Sequence, residues 1–356
     1  MSEIKVAIAG VGNCASALVQ GVYYYRASEG KEAYGLLHED FGGYKVGDIK
    51  FVAAFDVDSR KVGKDLCEAI YSEPNNTRVF CKVPRIGVKV MRGRVLDSIG
   101  RFVKPLIKVD MDDEPVDVVD VLRESEAEIM LNYLPVGSEK ASEWYAKQAL
   151  EAGCAFINCM PTFIASDPKW QKEFEMAGLP IAGDDIMSQI GATVLHKTIA
   201  KLLVDRGVHI EESYQLNIGG DTDFLNMLDE DRLRSKRISK TSAVQAMIPY
   251  KIPLRIGPSD YVSFLKNNKI CYIWLRGKYF GDTPVKIDVK LDVIDSPNSA
   301  GIAIDVIRAT KIALDRGIAG PLVSISAYAF KHPPEQAPYE IAKKWVEEFI
   351  EGKRER

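Results

Sequence analysis

The first residues of this chain constrain its fold more than any other segment, because an apolar run leads directly into a glycine turn. Residues Ile4–Ala9 are mostly apolar, and Gly10 and Gly12 follow at once, ahead of apolar residues with helical spacing up to Val22. A short apolar run next to glycines is typical of a buried strand, and the spacing after it is typical of a helix. The sequence therefore predicts a strand, a turn and a helix in that order.

Strands and helices continue to alternate through the first half of the chain. Further short strands are predicted at 49–55, 129–134, 155–158 and 180–182. This alternation favours an α/β fold with a parallel sheet covered by helices on both faces. Insertions at 23–46 and 77–110 interrupt the pattern, and the second insertion carries the main cluster of basic residues.

The pattern changes after about residue 192, where the segments become more open and alternating. Apolar and polar residues alternate at 214–218, 270–275 and 285–293. Such alternation predicts an antiparallel or mixed sheet, and hence a second domain.

A return to the first domain is predicted near the C-terminus. A helical pattern at 300–316 ends at Gly317, which is a typical stop signal. The predicted division is therefore a first domain of residues 1–190 and 300–356 and an inserted second domain of residues 191–299.

The charge balance argues against several classes of partner. The formal net charge is -3 at pH 7, which gives no overall cationic field for nucleic acid or an anionic membrane surface. The basic cluster at 77–110 lacks interleaved aromatic residues that stack on bases. It therefore indicates either a loop that closes over a phosphorylated ligand or a subunit contact. Neither a signal-peptide pattern nor a long uncharged apolar stretch occurs. We therefore expect a cytoplasmic protein with no nucleic-acid or membrane partner.

The glycine turn is a candidate dinucleotide-binding loop, because glycines let the backbone approach a pyrophosphate at the N-terminus of the next helix. The usual third glycine is absent. Asp56, which ends the second predicted strand, would accept hydrogen bonds from ribose hydroxyls and repel a 2′-phosphate, which favours NAD over NADP. The alternatives are a plain turn and, for Cys14, a small buried side chain. The candidate cofactor contacts here are Gly10, Gly12, Asn13, Cys14 and Asp56.

Two lysines of the second half suggest chemistry. Lys236 and Lys240 are four residues apart, so they lie on one face of a helix and their ammonium groups repel each other. This arrangement is useful if an anion or a developing oxyanion lies between them, or if crowding lowers one lysine pKa enough for proton transfer. The competing interpretation is a solvated basic face beside the acidic run 229–231.

Three polar segments follow predicted strands. The segment 183–193 opens a helix, so its hydroxyls and free backbone N–H groups could hold a phosphate; an ordinary capped helix start is the alternative. The turns at 217–224 and 292–301 are similar in character, and each could be only a loop.

Taken together, six motifs resemble one enzyme family, myo-inositol-1-phosphate synthase, in its shorter prokaryotic form. They are Gly-Val-Gly-Asn at 10–13, Gly-Asp-Asp with Ser-Gln within 183–189, Asn-Ile-Gly-Gly-Asp-Thr-Asp at 217–223, Ser-Lys-Arg-Ile-Ser-Lys at 235–240, Asp-Ser-Pro-Asn-Ser-Ala-Gly at 295–301 and Lys-His-Pro-Pro at 331–334. The resemblance covers nearly the whole chain in the family's order. The glycine loop departs most, since it has fewer glycines than the long forms.

The resemblance implies a Rossmann-like NAD-binding domain with an inserted α+β catalytic and oligomerisation domain, assembled as a homotetramer. It implies an isomerising cyclisation of D-glucose 6-phosphate to 1L-myo-inositol 1-phosphate, for inositol phospholipids or inositol-derived solutes. In the family's route, C5 is oxidised, C6 is enolised, C6 attacks the C1 aldehyde, and the hydride returns to C5. NAD is thereby recycled.

The resemblance also implies roles for individual residues. Each developing anion needs fixed positive charge, and the family's lysines correspond to Lys236, Lys240, Lys269 and Lys331. Near the cofactor it places Asp184, Asp185, Asp295 and Ser296. At the substrate phosphate it places Ser188, Gln189 and Thr193. A divalent cation or ammonium near Asp295 is also implied.

Two other functions remain open from the sequence. The first is an NAD-dependent sugar or sugar-phosphate dehydrogenase, which would accumulate NADH. The second is a protein that senses NAD without catalysis, although sensing would not require lysines in three separate segments.

Overall fold

A computed structural model of the protein describes residues 3–28, 34–112, 114–229 and 232–356, and within these ranges the strands form two sheets. The first sheet has seven strands in the order β11-β6-β5-β4-β1-β2-β3, and every pair is parallel. Its strands are β1 Ile4–Ala9, β2 Ile49–Asp56, β3 Val90–Arg92, β4 Ile129–Asn132, β5 Ala155–Asn158, β6 Pro180–Gly183 and β11 Gly320–Pro321.

The second sheet has four strands in the order β10-β9-β7-β8. Pairing is antiparallel except between the last two strands of that order, which are parallel. The strands are β7 His209–Gly219, β8 Leu254–Tyr261, β9 Asn268–Tyr279 and β10 Thr283–Ile294.

Helices cover both faces of the first sheet and one face of the second. α1 and α9 contact each other on one face of the first sheet, α3 and α4 pack on the other, and α6 and α8 cover the second sheet. The helices are α1 Asn13–Ala27, α2 Leu66–Ala69, α3 Val118–Glu124, α4 Glu139–Ala152, α5 Pro168–Met176, α6 Ala192–Asp205, α7 Thr222–Asn226, α8 Arg234–Gln245, α9 Asp295–Asp315, α10 Val323–Ala329 and α11 Tyr339–Ile350.

The first sheet is buried on both faces, which explains why its strands read as continuous apolar runs in the sequence. All four residues of β4, β5 and β6 are buried. The second sheet shows the alternation of a half-buried sheet, because Ile210, Ile273 and Leu275 are buried whereas Tyr214 and Tyr272 are exposed on the opposite face.

The topology creates a crevice at the carboxyl ends of the parallel strands. β1 lies in the centre and pairs with β2 on one side and with β4 on the other. The chain thus moves outward from β1 in one direction and then returns to build the sheet in the other. Ligands of open parallel sheets bind outside the carboxyl ends of the strands at such a switch point.

The predicted fold class is confirmed. The strands predicted at 4–9 and 155–158 have the observed bounds, whereas the helix predicted at 300–316 is α9, which begins at Asp295, five residues earlier. The two short edge strands β3 and β11 were not predicted. The two sheets fall on either side of the predicted domain boundaries, and the division into separate folding units stays a prediction. Glu230 and Asp231, within the acidic run used above, lie outside the described residues.

Every helix among the described residues is too short or too polar to span a membrane.

Candidate active site

A cavity of about 210 Å³ lies between the carboxyl ends of the parallel strands and the second sheet. One wall follows β1, β4 and β5, and the opposite wall comes from α7, α8, β9 and the start of α9. All four lysines singled out from the sequence line it, together with Gly12, Asn13, Cys14, Asp185, Ser188, Asp295 and Ser296. Residues from segments more than 300 positions apart therefore converge on one space.

Asp185 is the electrostatic centre of the lysine cluster. It is fully buried, with Oδ1 3.0 Å from Lys236 Nζ and 2.9 Å from Lys331 Nζ, while Ser239 Oγ donates to Oδ2. Burial acts to raise the Asp185 pKa, but the two ammonium groups outweigh burial and hold the pKa well below its ordinary value. Asp185 therefore stays ionised and fixes both lysines.

Lys240 lies one helical turn from Lys236 and has no such counter-charge. It is 4% exposed and makes no hydrogen bond or ion pair within the described ranges. Burial, together with the charges on Lys269, Lys236 and Lys331, lowers the Lys240 pKa well below its ordinary value. The repulsion predicted from the four-residue spacing thus acts mainly on Lys240, whose amine loses its proton more easily than the amine of Lys236.

The remaining two lysines differ from each other in the direction of their pKa shifts. Lys269 Nζ contacts Asp295 at 3.0 and 3.3 Å, and this carboxylate outweighs burial and raises the Lys269 pKa. Lys331 is affected mainly by burial, which lowers its pKa to about 8 despite the Asp185 carboxylate. For Lys236, the Asp185 carboxylate outweighs burial and raises the pKa. The cluster therefore combines two firmly charged lysines with two whose amines are easier to deprotonate.

The glycine turn fits a dinucleotide pyrophosphate. Gly10 has a φ of +93°, and a Cβ there would lie 2.5 Å from the carbonyl oxygen of Tyr133, so only glycine is accommodated. A Cβ at Gly12 would have no atom within 4 Å, which leaves space beside the N-terminus of α1. That helix has no side-chain cap and no acidic residue in its first turn. Its free N–H groups and its dipole therefore face the cavity, where they suit an anion.

Asp56 and Asn13 organise the surroundings of this turn. Asp56 Oδ2 accepts from the Val11 N–H at 2.8 Å, and Oδ1 accepts from the N–H groups of Val57 and Asp58. The side-chain oxygen Oδ1 of Asn13 accepts from the N–H groups of Asn76 and Thr77, which holds the segment around these residues over the turn. Asp56 Oδ2, which accepts only one of these hydrogen bonds, retains a free lone pair for a ribose hydroxyl.

The predicted phosphate segment and the two adjacent aspartates do not all face the cavity. Asp184 is buried behind it and accepts from Asn158, Ser166 and three backbone N–H groups. Burial raises its pKa to about 6. Ser188 lines the cavity, Gln189 lies against the backbone near Gly35 and Gly301, and Thr193 is buried in α6. The roles predicted for these residues stay predictions.

Several site residues were missed from the sequence. Asp221 and Asp223 of the 217–224 turn line the cavity, and so does Tyr133, which follows β4. Lys61 is buried in the segment that follows β2, where Nζ donates to the Val11 carbonyl at 2.8 Å and lies 3.7 Å from Asp56. The signal available for the aspartates was the polar Gly-Gly-Asp-Thr-Asp turn after a strand.

The residues do not fit a metal held by protein ligands alone. Within the described ranges, no three His, Cys, Asp or Glu side chains are grouped as metal ligands. Asp295, the predicted ligand, is already neutralised by Lys269. No step is therefore assigned to a metal.

Comparison with known proteins agrees with this geometry. The family model described as myo-inositol-1-phosphate synthase matches residues 191–296. The inositol-3-phosphate synthase of Mycolicibacterium smegmatis is 54% identical, with 98% of each chain covered. The chain belongs to the myo-inositol-1-phosphate synthase family. The inositol-3-phosphate synthase of Corynebacterium glutamicum is 52% identical, again over 98% of each chain.

A solved structure carries the same fold over its full length. The myo-inositol-1-phosphate synthase-related protein from Thermotoga maritima has a TM-score of 0.82 and 26% identity, with 98% of each chain covered. The family, the Rossmann-like fold and the enzyme class predicted from the sequence are therefore confirmed.

Proposed function

We propose that this chain converts D-glucose 6-phosphate to 1L-myo-inositol 1-phosphate, with NAD as a recycled cofactor. The observation that carries the proposal is the convergence of Lys236, Lys240, Lys269 and Lys331 on one cavity beside an uncapped, glycine-flanked helix start. One end of the cavity suits a dinucleotide and the other suits an anionic intermediate.

The cofactor supplies redox chemistry, since bound NAD takes a hydride from C5 of the sugar and later returns it. The chain's own residues must move the protons. One proton leaves the C5 hydroxyl, one leaves C6, one is added to the C1 oxygen when the ring closes, and one is added back to the C5 oxygen when the hydride returns. No histidine lines the cavity within the described residues, so lysine amines and aspartate carboxyl groups are the available proton carriers.

Lys240 is the best candidate for a proton acceptor, because its lowered pKa favours the neutral amine, which has a free lone pair. Lys331, with a pKa of about 8, can also change protonation state during the reaction. Lys236 and Lys269 stay charged, so they can stabilise an enolate or an alkoxide without moving a proton. The proposed roles thus follow the pKa shifts: the two lysines with lowered pKa values carry protons, and the two with raised pKa values stabilise negative charge.

The substrate phosphate is proposed to bind near Ser188, which lines the cavity where the chain leaves β6. Gln189 and Thr193 would contact it only if their side chains turn from their positions in the ligand-free chain. Any cation that assists the reaction would take its main ligands from the phosphates of the substrate or cofactor.

An ordinary NAD-dependent dehydrogenase is separated from this proposal by one measurement. The purified protein is mixed with glucose 6-phosphate and excess NAD, and free NADH is followed while sugar is consumed. The proposal predicts sugar consumption without net NADH. One NADH per sugar consumed would instead establish a dehydrogenase.

The first prediction concerns cofactor choice. We expect NAD to bind more tightly than NADP, and Asp56→Ala to weaken NAD binding by roughly 1 to 3 kcal/mol, because hydrogen bonds from ribose to a charged group are lost. Binding of both cofactors is measured by calorimetry for wild type and variant. NADP affinity equal to or above that of NAD in the wild type would refute the role of Asp56.

The second prediction concerns assembly. We expect a homotetramer that uses the second sheet, whose open face exposes Tyr214, Leu216 and Tyr272. Exposed aromatic and aliphatic side chains on one face are typical of a surface that is covered by a partner. Light scattering over a wide concentration range tests this, and a constant monomer mass would contradict it.

A further inference from the structure

The hydroxyl group of Tyr133 is buried in the cavity wall without a hydrogen-bond partner. The residue is 8% exposed, and within the described ranges nothing donates to its oxygen or accepts its proton. Buried hydroxyl groups are almost always hydrogen-bonded, so an unpaired one in a ligand cavity suggests that its partner is a ligand.

The backbone fixes Tyr133 next to the cofactor turn. Its N–H donates to the Ala9 carbonyl at 2.8 Å, which extends the pairing between β4 and β1. Its own carbonyl oxygen occupies the space that a Cβ on Gly10 would need. Tyr133 therefore lies at the switch point of the sheet, directly after the carboxyl end of β4 and next to β1.

The chemical surroundings of the hydroxyl are uncharged. Burial raises the Tyr133 pKa well above its ordinary value, with smaller contributions from the thiols of Cys159 and Cys14. The phenol therefore stays neutral and can only act as a hydrogen-bonding group. It lies on the wall built by the parallel strands, whereas Lys236, Lys240 and Lys269 come from α8 and β9 on the opposite wall.

A neutral donor at this position fits a neutral acceptor on the cofactor. With the pyrophosphate at the start of α1, the nicotinamide end of a dinucleotide extends across the carboxyl ends of the central strands. The ring carries a carboxamide, whose oxygen is an uncharged acceptor. Hydrogen bonding to that group would hold the ring in one orientation, with a single face toward C5 of the sugar.

We propose that the Tyr133 hydroxyl donates a hydrogen bond to the carboxamide of bound nicotinamide and so orients the ring for hydride transfer. This inference rests on the proposed function, because it requires the cavity to bind NAD. Tyr133 is a positioning residue in this account. The ligand-free chain keeps an unsatisfied polar group in place, and the cofactor satisfies it.

The test uses Tyr133→Phe, which removes the hydroxyl and keeps the ring. Because the lost group has no partner in the ligand-free chain, the melting temperature without nucleotide should stay the same or rise. The Kd for NAD should rise about tenfold, the effect of about 1.4 kcal/mol from one hydrogen bond. The Kd for ADP-ribose, which lacks nicotinamide, should not change.

Tyr44→Phe is the matched control, since it removes the hydroxyl of another buried tyrosine. Tyr44 lies away from the cavity and donates to Asp315. Its loss should lower the melting temperature and leave both Kd values unchanged. Opposite effects of Tyr133→Phe and Tyr44→Phe on the melting temperature would distinguish a hydroxyl that binds a ligand from one that stabilises the fold.

Three outcomes would overturn the inference. An unchanged NAD Kd would show that the hydroxyl does not contact the cofactor, and an equal loss for ADP-ribose would show general damage to the site. A raised KM for glucose 6-phosphate with unchanged NAD binding would place the hydroxyl on the sugar. If wild type itself does not bind NAD, the proposed function fails first.

Discussion

Replacement of Lys240 by methionine is expected to lower kcat by about 10²-fold or more, because the proposed proton acceptor is lost. NAD binding should change little, since Lys240 comes from α8 and not from the cofactor wall. The folded protein should not be less stable than wild type, because methionine fills similar volume and removes a buried amine without a counter-charge. Single-turnover kinetics then locate the block: enzyme-bound NADH that persists places it after C5 oxidation.

The same measurement on the other lysines tests the whole cluster. Alanine variants of Lys236, Lys269 and Lys331 should each lose about 10²-fold or more in turnover. Lys266 and Lys278 are the matched controls, because both are exposed and neither lines the cavity. Their replacement should change stability by no more than about 0.5 kcal/mol. Near wild-type turnover by the Lys240 variant would contradict its role as the proton acceptor.

Replacement of Asp185 by asparagine is expected to destabilise the ligand-free protein by about 3 to 5 kcal/mol at neutral pH, because two buried ammonium groups lose their shared counter-charge. Turnover should fall as well, since Lys236 and Lys331 are no longer held in place. Urea unfolding and steady-state kinetics measure the two effects.

The pH dependence of stability supplies a second readout. The Asp185 pKa is lower in the folded than in the unfolded chain, so its contribution is present above the ordinary aspartate pKa of 3.8 and is lost as the pH falls below it. The difference in unfolding free energy between wild type and Asp185→Asn should therefore shrink in acid. A difference that is constant with pH would show that the carboxylate charge is not what stabilises the cluster.

Asp305→Asn is the control for a buried ion pair outside the site. Asp305 pairs with Arg308, and both side chains are fully buried beneath the segment that follows α1. This variant should lose stability and retain turnover. Loss of turnover in both aspartate variants would point to general unfolding.

The architecture of the first sheet was predictable because its signals are local. Continuous apolar runs such as Ile4–Ala9 are read directly from the sequence, and alternation with helices leaves few topologies. The edge strands β3 and β11 have three and two residues, which is too short for any periodic pattern. They form only because a neighbouring strand is already in place.

The site was predictable in composition but not in arrangement. The spacing of Lys236 and Lys240 indicated a shared face, yet Lys269 and Lys331 reach the cavity through long-range packing that no local pattern encodes. The sequence could not separate Asp184 from Asp185. Their difference arises from the backbone at this point, where Asp185 has a φ of +61° and turns toward the lysines while Asp184 faces the opposite side.

Lys61 was missed for a similar reason. It lies five residues beyond Asp56, after the end of β2, and its contact with the Val11 carbonyl joins two segments that are 50 residues apart. A single lysine in a polar stretch gives no signal of burial. The tertiary structure alone reveals that it supports the turn that would bind the cofactor.

The proposed cyclisation with recycled NAD is tested most directly by identification of the product formed with substoichiometric NAD. The purified protein is incubated with glucose 6-phosphate and far less NAD than sugar, and the phosphorylated product is identified by NMR. We expect the protein to form many molecules of 1L-myo-inositol 1-phosphate for each NAD, with no accumulation of NADH. An oxidised sugar phosphate formed in an amount equal to the NAD supplied would contradict it.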